Sequence, residues 1–192
     1  MVDELGRGTE GGGRVCLNER DFLIFKFLIE MKFANGEQIF EMFFRSLNSS
    51  NPKYCANRLS LLKKSGYLHS HKTYDGPANY YTATKKAYAI LMSRGLEDDH
   101  LPSAKEEMDH RFFIHDKSLV WLRIYLEKLE LGFSWMSERT IRRTLFLNFS
   151  REERLARNPL ADALIPDAVF ENKNGERIFL ELENSIKDEI HY

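Results

Sequence analysis

The stretch SSNPKYCANRLSLLKKSGYL, residues 49–68, decides the fold of the first half of the chain. Ser50 or Asn51 supplies a favoured helix N-cap, a proline follows in the first turn, and Gly66 is suited to end the helix. At 100° per residue, one stripe of this helix is apolar and contains Cys55, Leu59 and Leu62. The opposite stripe is polar and contains Lys53, Asn57, Ser60 and Lys64. The stretch therefore predicts a helix that buries one stripe and presents the other.

The segments on either side complete a recognisable order of elements. Upstream, NERDFLIFKFLIEMK (18–32) and ANGEQIFEMFFR (34–45) carry apolar residues at helical spacing and predict two helices. Downstream, YLHSHKTYDGPANYYTAT (67–84) is rich in Tyr and Thr and is broken by Asp-Gly-Pro, which predicts a β-hairpin. Residues 85–94 resume a helical pattern. Three helices, a hairpin and a further helix predict a winged helix-turn-helix over residues 17–95.

Charge is divided between the two halves of the chain. Residues 18–95 contain 12 Lys+Arg and 6 Asp+Glu, a net of +6, whereas residues 96–192 contain 14 and 20, a net of −6. A basic winged helix favours double-stranded DNA, with the third helix in the major groove. The residues expected to contact DNA are Lys53, Asn57, Arg58, Ser60, Lys63 and Lys64 on the helix, and His71 and Lys72 on the wing. The alternative is an interaction module whose Lys and Asn side chains only face solvent.

Composition excludes several classes of protein. The 192-residue chain has two cysteines, without a CxxC pair, which fits a reducing cytosol and excludes a Cys-rich zinc site. No apolar run approaches the ~20 residues of a membrane helix, and residues 1–16 lack the apolar core of a signal peptide. Residues 1–16 instead predict a disordered tail. We expect a cytoplasmic protein without a membrane partner.

The second half predicts a smaller mixed domain. Residues 96–108 have the composition of a linker, and residues 109–192 would form an α/β domain. An amphipathic helix is expected from His110, and FSWMSERTIRR predicts a short strand or turn followed by a helical piece. Residues 164–170 and 176–183 predict two strands joined by a Lys-Asn-Gly turn. The fold class expected is therefore α+β.

The geometry of this last hairpin determines where its acids lie. A three-residue loop with Gly175 in the left-handed conformation pairs Asn172 with Glu176 and sets Asp167 opposite Glu181. Strand alternation then places Asp167, Glu181 and Glu183 on one face. Neighbouring carboxylates repel unless a cation intervenes, which makes them candidate ligands for Mg²⁺ or Mn²⁺. A two-residue Asn-Gly turn would instead put Asp167 on the opposite face.

Pro-Asp, a hairpin and Glu-x-Glu in an apolar strand resemble the PD-(D/E)xK motif of restriction-endonuclease-like folds. The resemblance implies that Asp167 and Glu181 bind Mg²⁺ and that Glu183 occupies the position of the catalytic Lys. Lys187 could take that role from the next turn, and Glu138 could be the upstream helix acid of some members. The candidate catalytic set is thus Asp167, Glu181, Glu183 and Lys187. The chain ends nine residues after Glu183, so we expect a small or truncated domain.

The order of parts resembles the replication-relaxation family more specifically. A winged helix, a His-bearing helix, Trp-x-Ser-Glu at 135–138, IPDAVF at 165–170 and FLELENS at 179–185 carry the resemblance. It implies a plasmid or mobile-element protein acting in replication, mobilisation or DNA relaxation, with a nuclease-like domain that is often degenerate. Expected partners are duplex DNA and either a second copy of the chain or a relaxosome or replication protein. The alternatives are a Mg²⁺-dependent endonuclease and a transcriptional repressor.

Overall fold

The computed structural model describes residues 15–45, 51–94, 100–129, 132–155, 160, 164–172 and 174–183. Within these ranges the chain is an α+β protein with two three-stranded antiparallel sheets. The predicted α+β class is therefore confirmed. None of the helices within these ranges has the length and apolar composition needed to cross a membrane.

Helices dominate the first half. Its elements, in chain order, are α1 (Glu19–Met31), β1 (Ala34–Asn35), α2 (Gly36–Phe43), α3 (Pro52–Lys64), β2 (Leu68–Thr73), β3 (Gly76–Ala83) and α4 (Lys85–Ser93). The first sheet has the order β1-β3-β2. All four predicted helices and the hairpin are confirmed.

Polar caps fix where these helices begin. The Asn18 side chain accepts a hydrogen bond from the Asp21 amide, and the Asp21 side chain accepts one from the Asn18 amide, which closes a capping box on α1. Asn35 and Gln38 form the same box on α2. That box explains why α2 starts two residues later than predicted. Asn51, rather than Ser50, caps α3.

The second half contains both helices and strands. A 3₁₀ turn (His110–Phe112) leads into α5 (Phe113–Lys128), followed by β4 (Gly132–Ser137), α6 (Glu138–Asn148), α7 (Arg151–Leu155), β5 (Ala168–Asn172) and β6 (Arg177–Leu180). The second sheet has the order β4-β5-β6. The strand predicted at 164–170 begins only at Ala168, and the one predicted at 176–183 is confined to four residues.

The predicted register of the last hairpin is confirmed. Ala168 pairs with Leu180 and Glu171 with Arg177, and the Asn172 amide donates to the Glu176 carbonyl. Gly175 has φ +78°, the left-handed conformation that a three-residue loop requires. The alternative two-residue turn is therefore wrong.

One hydrophobic cluster joins the two halves. It combines buried residues of α1, α2, α3 and α4 with Leu119, Val120 and Ile124 of α5. Leu101, inside the predicted linker, is buried in the same cluster. A smaller aromatic cluster packs Phe113 of α5 against Phe33 and Tyr80. Apolar packing therefore crosses the boundary predicted at residues 96–108.

Candidate nucleic-acid interface and polar junction

The outward side of α3 is basic, exposed and mostly polar, although Tyr54 and Leu61 are exposed there as well. Its apolar stripe is buried, as predicted, by Cys55, Leu59 and Leu62. The exposed side chains include Lys53, Asn57, Ser60, Lys63 and Lys64. Pro52–Lys64 contains no acidic residue. We call these five exposed residues the α3 face.

Core contacts hold α3 in place behind this face. The Cys55 thiol lies 3.8 Å from the Gly36 carbonyl at the start of α2, and burial raises the pKa of the thiol to about 12. A neutral, buried thiol packs as a small apolar side chain. Just after the helix, Tyr67 stacks on Phe25 of α1, with the ring centroids 5.4 Å apart. The α3 face is therefore carried by a helix whose opposite stripe is anchored in the core.

Arg58 does not belong to the α3 face. Its guanidinium forms a two-pronged hydrogen bond with the fully buried Asp21 carboxylate and also donates to the Cys16 carbonyl at 2.8 Å. Hydrogen bonding to Asp21 raises the pKa of Arg58. Arg58 thus neutralises a buried acid in α1, and its predicted contact with DNA stays a prediction.

The two wing residues of the prediction are also engaged by the protein itself. His71 Nε2 lies 3.0 Å from Thr82 Oγ1, whose hydroxyl donates to the Glu106 carbonyl, so the His71 ring donates this bond. Burial lowers the pKa of His71, which disfavours the cationic form that would attract phosphate. The Lys72 ammonium donates to the Pro77 carbonyl across the hairpin. Lys72 stays exposed, whereas His71 is half-buried.

A second polar cluster lies between α1, α5, α6 and β5. Lys32 Nζ lies 2.8 Å from Asp116 Oδ1 and 3.8 Å from Glu138 Oε2. His115 Nε2 lies 3.0 Å from Asp167 Oδ2. We call Lys32, His115, Asp116, Glu138 and Asp167 the polar junction. Sequence reasoning missed Lys32 and Asp116, because these partners are 84 residues apart and no local signal connects them.

A partly buried arginine, Arg139, lies beside the junction. Arg139 donates to the Ile29 carbonyl and, at 2.6 Å, to the Ser103 carbonyl. Ile29 lies in the last turn of α1, where carbonyls lack partners within the helix. Burial lowers the pKa of Arg139, whereas the charges of Asp116 and Glu138 raise it. The junction therefore connects the end of α1 to the second half of the chain by charge and by capping.

The three acids predicted to share a cation are not brought together. Among the described residues, no three His, Cys, Asp or Glu side chains are placed to hold a metal ion. The Asp167 carboxylate contacts His115 and accepts a hydrogen bond from the Leu182 amide at 2.8 Å, and Glu181 and Glu183 are exposed. The predicted metal site at Asp167, Glu181 and Glu183 is therefore not assembled.

Pro166 and the Asp167 carboxylate together end the ladder of this hairpin. Backbone hydrogen bonding between β5 and β6 alternates, so the pair after Ala168–Leu180 would join Pro166 to Leu182. Neither bond of that pair is made: Pro166 has no amide hydrogen to donate to the Leu182 carbonyl, and the Leu182 amide donates to the Asp167 carboxylate in place of the Pro166 carbonyl. That carboxylate ends the ladder at its edge. The prediction placed the Asp167 carboxylate on the face of the sheet, whereas it accepts a backbone hydrogen bond at the end of the strand pair.

Within the described part of the chain, the remaining candidate, Glu138, does not complete a site. Lys187 lies outside the described residues. Glu138 is half-buried and pairs with Lys32 and, through Oε1 at 2.8 Å, with Arg142. Ion pairs of this kind position helices, and none of them leaves an open cation position among the residues described.

A larger cleft of about 580 Å³ opens between α1, α2, α5 and the β4-β5 strands. Phe27, Phe43 and Trp135 form part of its apolar wall. Arg123 also lines the cleft and donates hydrogen bonds to Glu30 at 2.6 Å and to Glu127 at 2.9 Å. Lys26 also lies in the wall, so its two cationic and two acidic side chains compensate one another, and the net charge of the cleft favours neither an anion nor a cation.

Comparisons with protein-family models, with curated proteins and with solved structures find no match to this chain. The resemblance to the replication-relaxation family therefore stays a prediction.

Proposed function

We propose that this protein binds double-stranded DNA through the α3 face, as a winged helix-turn-helix protein. The observation that carries the proposal is an exposed, acid-free helix face with Lys53 near one end and Lys63 and Lys64 at the other. Phosphate groups flank the major groove, so lysines at the two ends of an inserted helix can reach them.

The order of elements supports this reading. A short helix, α2, precedes α3 and packs on it, and the β2–β3 hairpin follows directly. Helix-turn-helix proteins use the earlier helix as support and the later one for recognition. The hairpin after the recognition helix corresponds to the wing.

Side-chain chemistry suggests how the work is divided. Lys53, Lys63 and Lys64 supply positive charge for phosphate contacts, which give affinity without sequence specificity. Asn57 and Ser60 lie between them on the same stripe and carry the groups that hydrogen-bond base edges. An Asn side chain can donate to and accept from adenine at once. Specificity would therefore depend on Asn57 and Ser60, and overall affinity on the lysines.

The wider role proposed is replication, mobilisation or relaxation of a plasmid or other mobile element. This part rests on the resemblance of residues 17–192 to the replication-relaxation family. In this proposal the second half serves in assembly on DNA and not in cleavage, since Glu183 occupies the position at which the PD-(D/E)xK motif has its Lys. Action as a transcriptional repressor would use the same α3 face.

The proposal is tested by fluorescence anisotropy with a labelled duplex of mixed sequence over a salt series. Affinity of the native protein should fall steeply with salt, because each phosphate contact releases a counterion. The Lys53→Glu/Lys64→Glu variant should lose most of this affinity and show a flatter salt dependence.

The matched control is Lys105→Glu/Arg151→Glu, which makes the same charge change at exposed positions in the other half. It should retain binding within a few-fold. Equal affinity of the α3 variant and the native protein at the same salt would refute the assignment of α3. An equal loss of DNA affinity in both variants would mean that binding depends on the net charge of the protein and not on α3.

A further inference from the structure

β6 forms one edge of the second sheet. Within the described ranges its partner strand is β5, on one side only. Its apolar side chains are unusually open for a strand: Phe179 is 68% exposed and Ile178 40% exposed. The Arg177 side chain is 71% exposed. An apolar edge of this kind is a template for another strand.

The backbone groups of the open edge can be assigned. The Glu176 carbonyl accepts from the Asn172 amide, and the Leu182 amide donates to Asp167, so these even-numbered residues face β5. Backbone direction alternates along a strand. The amides and carbonyls of Arg177, Phe179 and Glu181 therefore point to the open side.

We propose that β6 pairs with β6 of a second copy of this chain, antiparallel, about a two-fold axis through Phe179. The sequence Arg-Ile-Phe-Leu-Glu, residues 177–181, is complementary to its own reverse. Around this axis Phe179 lies opposite Phe179, Ile178 opposite Leu180, and Arg177 opposite Glu181 on both sides. The interface is isologous, as two-fold symmetry requires.

Hydrogen bonding and charge select this register. An axis between two residues would set an outward-facing residue against an inward-facing one, which prevents the ladder from forming. An axis at Ile178 sets Arg177 opposite Phe179, and an axis at Leu180 sets Phe179 opposite Glu181. The axis at Phe179 combines an aromatic pair with two opposite-charge pairs, both of which stabilise neighbouring strands.

The side chains involved are available for this pairing. Arg177 touches Glu171 of its own sheet at 3.3 Å, but both side chains of that pair are exposed, so the contact is weak and exchangeable. Glu181 is exposed as well. Dimerisation would join the second sheets of the two copies into one sheet of six strands. It would cover the β6 edge of each copy. This proposal is independent of DNA binding.

Sedimentation velocity of the full chain over a concentration series, without DNA, measures the dimerisation constant. Arg177→Glu and Glu181→Arg should each weaken dimerisation roughly tenfold, because each turns two attractive pairs into repulsive ones. The double variant Arg177→Glu/Glu181→Arg restores both pairs with reversed polarity and should recover native dimerisation. Failure of the double variant to recover would overturn the register.

A second variant tests the backbone ladder. Proline at position 179 removes an amide that points away from β5, so Phe179→Pro should leave the hairpin folded and abolish the dimer. Phe179→Val keeps the amide and should dimerise more strongly than Phe179→Pro. Circular dichroism checks that both variants are folded. A native protein that stays monomeric at every concentration, or a folded Phe179→Pro dimer, would overturn the proposal.

Discussion

At the scale of single residues, partners decide what each basic side chain does. Lys64 and Arg58 both lie on α3, but Lys64 faces solvent and Arg58 holds the buried Asp21. Burying a charge is tolerated only when it is paired. The two residues should therefore respond differently to the same substitution.

The first prediction compares Arg58→Met with Lys64→Met by urea unfolding. Arg58→Met should lower the free energy of unfolding by about 3 kcal/mol, because Asp21 is left buried without a counterion. Lys64→Met should change it by less than about 0.5 kcal/mol. The double variant Asp21→Asn/Arg58→Met should regain part of the loss. Equal stability of the two single variants would show that Asp21 does not depend on Arg58.

The sequence predicts the environment of some of these residues but not of others. The polar stripe of α3 follows from the 100° step alone, and the structure exposes Lys53, Asn57, Ser60 and Lys64 as predicted. The partner of Arg58 is 37 residues upstream on α1, and no spacing rule connects the two. Long-range ion pairs of this kind depend on the packing angle of the helices. Sequence periodicity cannot supply that angle.

At the scale of elements, the turn of the last hairpin determines the register of its two strands but not the point at which their pairing ends. Gly175 determines the register, which the sequence predicted correctly. The end of the ladder depends instead on Pro166, which has no amide hydrogen, and on the side chain of Asp167. The missing donor was visible in the sequence. Because Pro166 cannot donate, the sequence could have indicated that β5 begins after this residue, whereas the bond from the Leu182 amide to Asp167 could not be foreseen.

The second prediction concerns this turn. Gly175→Val should lower the free energy of unfolding by at least about 1 kcal/mol, because a β-branched residue resists a φ of +78°. Apart from its chain neighbours, no described residue has an atom within 4 Å of an added Cβ, so the loss would come from the backbone. Gly175→Asn is the matched control and should lose less, because Asn tolerates the left-handed region. Equal losses in the two variants would exclude this backbone explanation.

At the scale of the whole molecule, the two halves are connected by more than a linker. Composition predicted a boundary at residues 96–108, and the charge of the two halves agrees with it. Packing does not follow that division. Val120 and Ile124 of α5 share a core with α1, and ion pairs join Arg123 to Glu30 and Lys117 to Asp75. Leu101 lies in the segment whose polar composition predicted a linker, yet it is buried. The average composition of a segment does not show a single buried residue of this kind.

The last prediction follows from this shared core. The chain should unfold in one cooperative transition, with a calorimetric enthalpy close to the van't Hoff enthalpy. Its two tryptophans, Trp121 and Trp135, both lie in the second half and report on that half by fluorescence. Far-UV circular dichroism reports mainly on helices, many of which lie in the first half. The two urea curves should coincide.

The control is a substitution at the contact between the halves. Ile124→Ala should lower the free energy of unfolding by roughly 3 kcal/mol, because the side chain is 1% exposed and its removal leaves a cavity beside α1. Both probes should move to lower urea by the same amount. Two separate transitions, or a shift seen by fluorescence alone, would mean that the halves are independent domains. A single shift would mean that the α3 face gains its stability from the whole chain, because the core behind it extends into α5.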